Sequence, residues 1–560
     1  MYIGIDVGGT CTDAVLLDNG LVRATAKVPT GSNDILTSLL SALDQILKGV
    51  PAELIDRVVF STTLITNLIV ERKYDPVGLI LIPGPGLSHV HYQYKTDTHI
   101  ISGAIDYRGR EIMPLRFDEI ENAVVDLLNK DYKKVAVVGK FSVRNNKHEV
   151  EVVEVLKKYC PECHIEMGHQ VAGQLSFPRR VISTMLTCAT RDKYSYFVDS
   201  VKEAMVRRGI TGSVFILKAD GGTMPLGKET GIPIETIFSG PAASTLGVQA
   251  LIPPGETSVV VDIGGTTTDL ALILSGQPLL AAKGAPVYDQ LTQVRALAVK
   301  SVPVGGDSIV ERVGKEIVVY SERLGAPYCL GGPMPTPTDA LRVLGLTSVG
   351  NEDKARDVME SLGKPLGMSC YDVANHITNL VIDIIIKEID AMFLQWEQEP
   401  AYRVWEVLQK RKERPRIVVG VGGGAAGFIT KIAAKIGCYP VIPPYAPVAN
   451  AIGAAVALPT LQVSLRADTE QGYYTIEEEG FQGQIAQKRF TEEDALTLAN
   501  DWIKKRAEKY ELKKNIEKTE VTRRDVFTMV RNWVTTGRIY DICVQTPRGI
   551  MGHIGSRGEF

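Results

Sequence analysis

Two octets in this chain combine an acid, a glycine pair and a run of hydroxyls: DVGGTCTD, Asp6 to Asp13, and DIGGTTTD, Asp262 to Asp269, 262 − 6 = 256 residues apart. Each lies between apolar runs, YIGI and AVLLD around the first, SVVV and LALIL around the second. Such a stretch reads as a strand that delivers an acid, a tight glycine turn that bares backbone N–H groups, and a returning strand. The tip is a nest of donors suited to an oxyanion such as phosphate. An acid at the strand end can hold hydrated Mg²⁺, an ion that prefers one or two carboxylates with waters and phosphate oxygens. Asp6 and Asp262 are thus the expected metal-side acids. Gly8, Gly9, Thr10, Thr12, Gly264, Gly265, Thr266 and Thr267 are the expected phosphate donors. Asp13 and Asp269 end the octets and could orient water or Mg²⁺, act as a base, or cap the returning strand.

A single hairpin of this kind is often only a turn. Two copies with matching flanks point to two similarly folded domains, each offering a loop to one nucleotide held between them. A third glycine cluster, GVGGGAAGF (420–428), ends a strand and opens a helix, so it aims backbone amides and a helix N-terminus at a ligand. Its Gly422, Gly423 and Gly424 are expected on the adenosine side. SGP (239–241) and GGD (305–307) read as further cleft loops, with Gly305 and Gly306 as candidate ligand contacts. Asp307 is either a Mg²⁺ or substrate contact or a turn residue. Asp339 in TPTDA (336–340) either caps a helix or joins the site.

The elements that must position these residues alternate between β-rich runs and amphipathic helices. Strand candidates include 57–61, 77–82, 134–139, 214–220, 258–265 and 416–424. Helical patterns occupy 33–47, 117–130 and 147–159. That alternation requires an α/β architecture with mostly parallel sheets. The stretch 371–396 reads as a long buried helix, because Asp and Glu interrupt its apolar run. From about residue 459 short polar strands and an exposed helix capped by Thr491 mark an appended α+β module. The 560 residues exceed what one core holds, and the division expected is 1–180, 181–458 and 459–560. With 45% apolar and 23% charged residues and a net charge of −3, nothing favours a nucleic-acid or membrane partner. Without an apolar run of about 18 residues no transmembrane helix is expected. Without a basic, then apolar, leader the expected location is cytoplasmic. Eight sparse cysteines are expected as reduced thiols. CPECH (160–164) has the spacing of haem attachment or half a zinc site, and otherwise reads as a surface loop.

Several longer stretches carry a resemblance: GIDVGGTCTDAV (4–15), STTLITNLIVER (61–72), PIETIFSGPAAS (233–244), VVVDIGGTTTDLALI (259–273), SVPVGGDSIV (301–310) and GAPYCLGGPMPTPTDALRVLG (325–345). In order and content they resemble the A subunit of the hydantoinase/oxoprolinase family, to which subunits of acetone and acetophenone carboxylases also belong. The glycine loop at 420–428 and PVANAIGAA (447–455) are similar to the adenosine region of the actin/sugar-kinase/Hsp70 superfamily. The resemblance implies two actin-like (ribonuclease H-like) domains with an ATP cleft between them, and ATP and Mg²⁺ as cofactors. It also implies a cyclic amide such as hydantoin or 5-oxoproline as substrate, and a B-type partner subunit or a homo-oligomer. Ser61, Thr62, Thr63 and Asn67 fall in a family stretch, as substrate contacts or as turn chemistry. The chain departs from the family at Phe428 (where a His commonly stands), at Asp307 (a glycine) and in the loop 84–94.

The chemistry implied is phosphorylation of an amide oxygen, which turns an inert carbonyl into an electrophile with phosphate as leaving group; this needs Mg²⁺-ATP and exclusion of bulk water. The same clamp also suits an ATP-driven conformational protein acting on a partner enzyme, or a ketone carboxylase subunit. Intact acids and hydroxyls in both octets argue against a nucleotide-free scaffold.

Overall fold

A computed structural model describes residues 1–31, 34–86, 94–227, 232–253, 255–281, 283–288, 290–398, 413–486, 489–510, 512 and 518–555. The run YIGIDV forms strand β1 (Tyr2–Val7), the first octet turns the chain into β2 (Cys11–Asp18), and β3 (Leu21–Pro29) follows antiparallel. Strand β4 (Arg57–Thr62) runs parallel to β1 on its other side. The 31-residue helix α1 (Phe177–Arg207) leads to β5 (Ser213–Leu217), parallel to β4. The sheet order is β5-β4-β1-β2-β3, with Thr223–Pro225 on the edge beyond β5.

The second lobe repeats this plan. Helix α2 (Ser239–Leu251) precedes β6 (Ser258–Ile263), and the second octet joins it to β7 (Thr268–Leu274). Strand β8 (Val299–Val302) lies antiparallel on the outer side of β7. After helix α3 (Cys370–Glu397), β9 (Ile417–Val421) runs parallel to β6. Helix α4 (Ala425–Ile436), β10 (Tyr439–Val441) and helix α5 (Ala449–Val456) complete the lobe. Both sheets are thus an antiparallel three-strand unit extended by two parallel strands, the doubled actin-like (ribonuclease H-like) α/β arrangement.

Helices cover both faces of the central strands, which is why these read as unbroken apolar runs and not as alternating ones. Ile3, Ile5, Val58 and Phe60 pack with Tyr194 and Phe197 of α1. Val259, Val261 and Leu270 pack with Val381, Ile382 and Ile385 of α3 and Phe428 of α4. Phe428, where relatives commonly carry His, is therefore a core residue with no exposed surface. Helix α3 opens with a Ser369–Asp372 capping box and buries one stripe only. Among the described residues no helix is long and apolar enough to cross a membrane.

Between the sheets, α2 and α5 cross almost in backbone contact. A Cβ on Gly247 would lie 2.0 Å from the Ala449 carbonyl oxygen, and one on Gly453 would lie 1.9 Å from that of Ala243. A Cβ on Gly4 of β1 would meet the Ala451 carbonyl oxygen of α5 at 1.9 Å. These three glycines let helices from both lobes approach the octets.

Two further sheets flank this core. One is parallel and four-stranded, from Gly78–Ile82, Thr98–Ile100, Lys134–Gly139 and His164–Met167. The other is the five-stranded C-terminal sheet, ending in the hairpin of Glu520–Arg531 and Val534–Gln545, with the helix Glu492–Lys509 packed on it. The Thr491 cap is present as a capping box with Asp494. The division read at 180/181 falls within α1, and β5 beyond it lies in the first sheet beside β4.

Candidate functional site

The register fixes the acids. Asp6 lies directly opposite Asp13 in β1–β2, and Asp262 opposite Asp269 in β6–β7, so each pair shares one face of its sheet. Both hairpins close in the same way, Gly8 N–H donating to the Cys11 carbonyl (3.1 Å) and Gly264 N–H to the Thr267 carbonyl (3.0 Å).

The two lobes meet through a partly buried chain of side chains. Ser61 Oγ of β4 donates to Asp6 at 2.5 Å. Asn450 Nδ2, on α5 of the second lobe, donates to Asp6 at 3.2 Å. Ser244 of α2 lies 2.5 Å from Asp262 and 2.7 Å from Asn450 Oδ1. The acids of the two octets are therefore linked as Ser61–Asp6–Asn450–Ser244–Asp262. Sequence reading quoted the stretches that hold Ser244 and Asn450 but assigned neither a role; only the crossing of α2 and α5 shows it.

The structure sorts the expected phosphate donors. Gly306 N–H donates to the Gly264 carbonyl (2.9 Å) and Asp307 N–H to the Gly265 carbonyl (2.7 Å). In a trans peptide the N–H points opposite its carbonyl, so these bonds turn the amides of Gly265 and Thr266 outward. Those two amides, with Gly9 and Thr10 on the other tip, make no hydrogen bond among the described residues. Gly8, Gly264, Gly305 and Gly306 use their amides internally, the Gly305 amide on Ser308 Oγ (2.9 Å), and so brace the tips. Thr12 is fully buried, its hydroxyl 2.9 Å from that of Thr30. It stands six residues after Asp6, as the buried Thr268 stands six after Asp262, and strand alternation turns both away from the acids. Thr267 is half-buried and matches Cys11 in the first octet.

The third cluster behaves likewise. Gly422, at φ +82°, leaves no room for a Cβ beside Asp262, and its amide donates to the Ala446 carbonyl (3.3 Å). The Gly424 amide is held by Ile263 (3.0 Å). Gly423 borders open space, and α4 starts beside it with no side-chain cap, which leaves first-turn amides for an anion.

The carboxylates are not equivalent. Burial pushes Asp269 up to about 7, with Asp262 and Asp6 adding to it and Ser301 opposing. Burial pushes Asp13 up to about 6, against the pull of Lys27 and with a further push from Asp6 and Asp262. Asp6 and Asp262 are also raised, by burial first. The difference lies one strand further out: Asp13 faces Lys27, whose ammonium contacts both its oxygens at 2.7 and 2.8 Å, while Asp269 faces Ser301. Asp13 is held as an ion pair; Asp269 keeps a carboxyl that changes charge near neutral pH.

Arg323, also missed by sequence reading, reaches both tips, with one Nη 3.0 Å from Asp307 and the other 3.3 Å from Thr10 Oγ1. Asp307 is thus a charged partner beside Gly265, not a simple turn residue. SGP (239–241) is the buried first turn of α2. Asp339 sits at the third position of a helix capped by Thr336 and accepts from the Tyr328 and Cys329 amides, so it is structural. Thr62 is buried; Asn67 lies against the first tip, 3.2 Å from where a Gly9 Cβ would be. Residues 87–93 of the departing loop lie outside the described residues. Cys160 and Cys163 are joined in a disulfide and His164 pairs with Glu166 at 3.0 Å, which corrects the expectation of reduced thiols there.

These residues fit a nucleotide with Mg²⁺. No group of three or more His, Cys, Asp or Glu among the described residues is placed to hold a metal.

Comparison with known proteins agrees with this geometry. The family model described as Hydantoinase/oxoprolinase matches residues 180–463, and the one described as Hydantoinase/oxoprolinase N-terminal region matches 2–160. The chain is similar to caprolactamase subunit alpha of Pseudomonas jessenii, 26% identical over 486 residues, 79% of this chain and 68% of that one. It is similar to the acetophenone carboxylase gamma subunit of Aromatoleum aromaticum, 28% identical over 437 residues, 68% of this chain. The match spans only 59% of the length of that relative. A nucleotide-free structure of acetone carboxylase shares the fold, with a TM-score of 0.75 at 17% identity over 99% of this chain and 88% of that chain.

Proposed function

This chain belongs to the hydantoinase/oxoprolinase family, and from that premise we propose that it is an ATP-dependent amidohydrolase subunit, binding ATP with Mg²⁺ between its lobes. The phosphoryl group would activate the carbonyl of a cyclic amide such as hydantoin, 5-oxoproline or a similar lactam. The observation that carries this reading is the partly buried Asp6–Asn450–Ser244–Asp262 link between two hairpin tips whose amides face outward. It supports reading the two hairpin tips as paired anion cradles, with two acids beside them at one boundary between lobes.

The roles divide as follows. Gly9, Thr10, Gly265 and Thr266 donate to phosphate oxygens, and Gly423 with the first turn of α4 borders the adenosine side. Arg323 adds positive charge at the tips. Asp6 and Asp262 hold Mg²⁺, which when bound neutralises charge on the phosphates. Asp269 is the base: its carboxyl titrates near neutral pH and has no cation partner among the described residues. Asp13, paired with Lys27 and raised less than Asp269, is the second carboxyl of the site and orients water or Mg²⁺. Two relatives act as named subunits, alpha and gamma, which supports a partner subunit of the B type.

A ketone in place of the lactam is the second reading, favoured by similar identity to the acetophenone carboxylase subunit. The deciding experiment is ATPase rate against hydantoin, 5-oxoproline, lactams and ketones, with and without the partner subunit. Stimulation by a cyclic amide is expected. Stimulation by ketones and bicarbonate alone would establish the second reading, and by a protein alone an ATP-driven conformational role. Failure to bind ATP or ADP with Mg²⁺ in calorimetry would overturn all three.

A further inference from the structure

A cavity of about 200 Å³ lies away from both hairpins, lined by none of the octet residues. It opens where the loop after His169, the end of β5, the segment 293–295 and the C-terminal module meet. Four charged side chains line it without close partners. The Lys218 ammonium has only Asp220, at 3.8 Å. Arg295 donates to the Gln545 side-chain oxygen at 3.3 Å and contacts no carboxylate closely among the described residues. The Glu235 carboxylate accepts no hydrogen bond among the described residues. Glu477, 8% exposed, lies 3.9 Å from Arg144; burial and the neighbouring Glu478 push its carboxyl up to about 8, against Arg523 and Arg144. Gln293 Oε1 and Thr460 Oγ1 on the same lining have no hydrogen-bond partner among the described residues.

Buried charges of both signs normally pair with one another, because an unpaired one costs several kcal/mol. Here they border a common void instead. A ligand that carries both signs would satisfy them together, which neither a simple cation nor a simple anion does. The void has room for about six or seven waters at ~30 Å³ each, enough for an amino-acid-sized molecule.

We propose that this cavity is a second ligand site, for a small zwitterion of the amino-acid class, its carboxylate facing Lys218 and Arg295 and its ammonium facing Glu235 and Glu477. Opening a lactam such as 5-oxoproline yields a molecule of this class (hydantoin, which opens to a ureido acid, does not), so for a lactam substrate the site would sense or retain product, but its assignment rests on its own charges and not on the nucleotide reading.

The test is calorimetric titration of the full chain without nucleotide. The probes are glycine, L-glutamate, 5-aminopentanoate and 6-aminohexanoate, with hexylamine and hexanoate as single-charge controls. At least one zwitterion is expected to bind tenfold or more tightly than either control. Glu235→Gln and Arg295→Met should each weaken it at least tenfold, while Arg295→Lys restores most of the affinity and so separates charge recognition from misfolding. The proposal is overturned by no heat from any zwitterion up to about 10 mM, by equal affinity for the controls, or by full affinity in Glu235→Gln. Because no nucleotide is present, failure here leaves the ATP reading standing, and failure of ATP binding leaves this one.

Discussion

Replacing Asp269 by Asn tests both the electrostatics and the assigned chemistry. In the folded chain Asp269 titrates at about 7 against an ordinary 3.8, because burial and the neighbouring Asp262 disfavour its charge. At ~1.36 kcal/mol per pH unit, ionising it in the folded state costs about 4 kcal/mol. The sign follows from proton binding. Between about pH 4 and pH 7 the folded state holds a proton that the unfolded state has released, so the stability this carboxyl contributes at low pH is lost as pH rises through 7. Asparagine never ionises and avoids that loss. The variant should therefore be more stable than the parent, by a gap that widens at about 1.4 kcal/mol per pH unit from pH 5 to pH 7 and is flat above. At ~2–4 °C per kcal/mol, the full gap is on the order of 10 °C in melting temperature. The assay is thermal unfolding of both proteins without nucleotide, from pH 5 to pH 9. ATP turnover of the same variant should fall by about 10²–10⁴-fold if the carboxyl is the base. A gap that does not change with pH would refute the charge argument; full turnover would refute the role.

Asp262→Ala should abolish Mg²⁺-ATP turnover with circular dichroism unchanged, and normal turnover would remove its metal-side role. Asn450→Ala removes the bridge between Asp6 and Ser244 and should destabilise the protein by about 1–3 kcal/mol in urea unfolding. Gly453→Val puts a branched side chain where even a Cβ would be 1.9 Å from a backbone carbonyl, so soluble expression should be lost. Lys27→Met leaves Asp13 buried without its cation; the acid limb of the ATPase pH profile should move to higher pH, and an unchanged profile would dissociate Asp13 from the site.

How much of this was legible follows from the range of each signal. The octets, their flanking strands and the Thr491, Ser369 and Thr336 caps are local patterns, in which spacing along the chain is spacing in the element. The repeat at 256 residues announced two lobes, since the same turn chemistry after the same apolar run forms the same hairpin. Counting six residues from each leading Asp matches Thr12 with Thr268, and strand alternation buries both.

What the tertiary structure alone decided is which neighbour each residue meets. Asp13 and Asp269 occupy identical places in their octets, yet one faces Lys27 and the other Ser301, because the adjacent strand is set by sheet order. The amides of Gly265 and Thr266 are outward because residues 306 and 307, some forty positions on, hold their carbonyls from behind. Asp6 is bound by Asn450, 444 residues away, only because Gly247 and Gly453 let two helices cross at the lobe boundary. A sequence carries the chemistry of each group and the period of its own strand or helix. It does not carry the partner, which depends on backbone brought close by packing elsewhere in the chain.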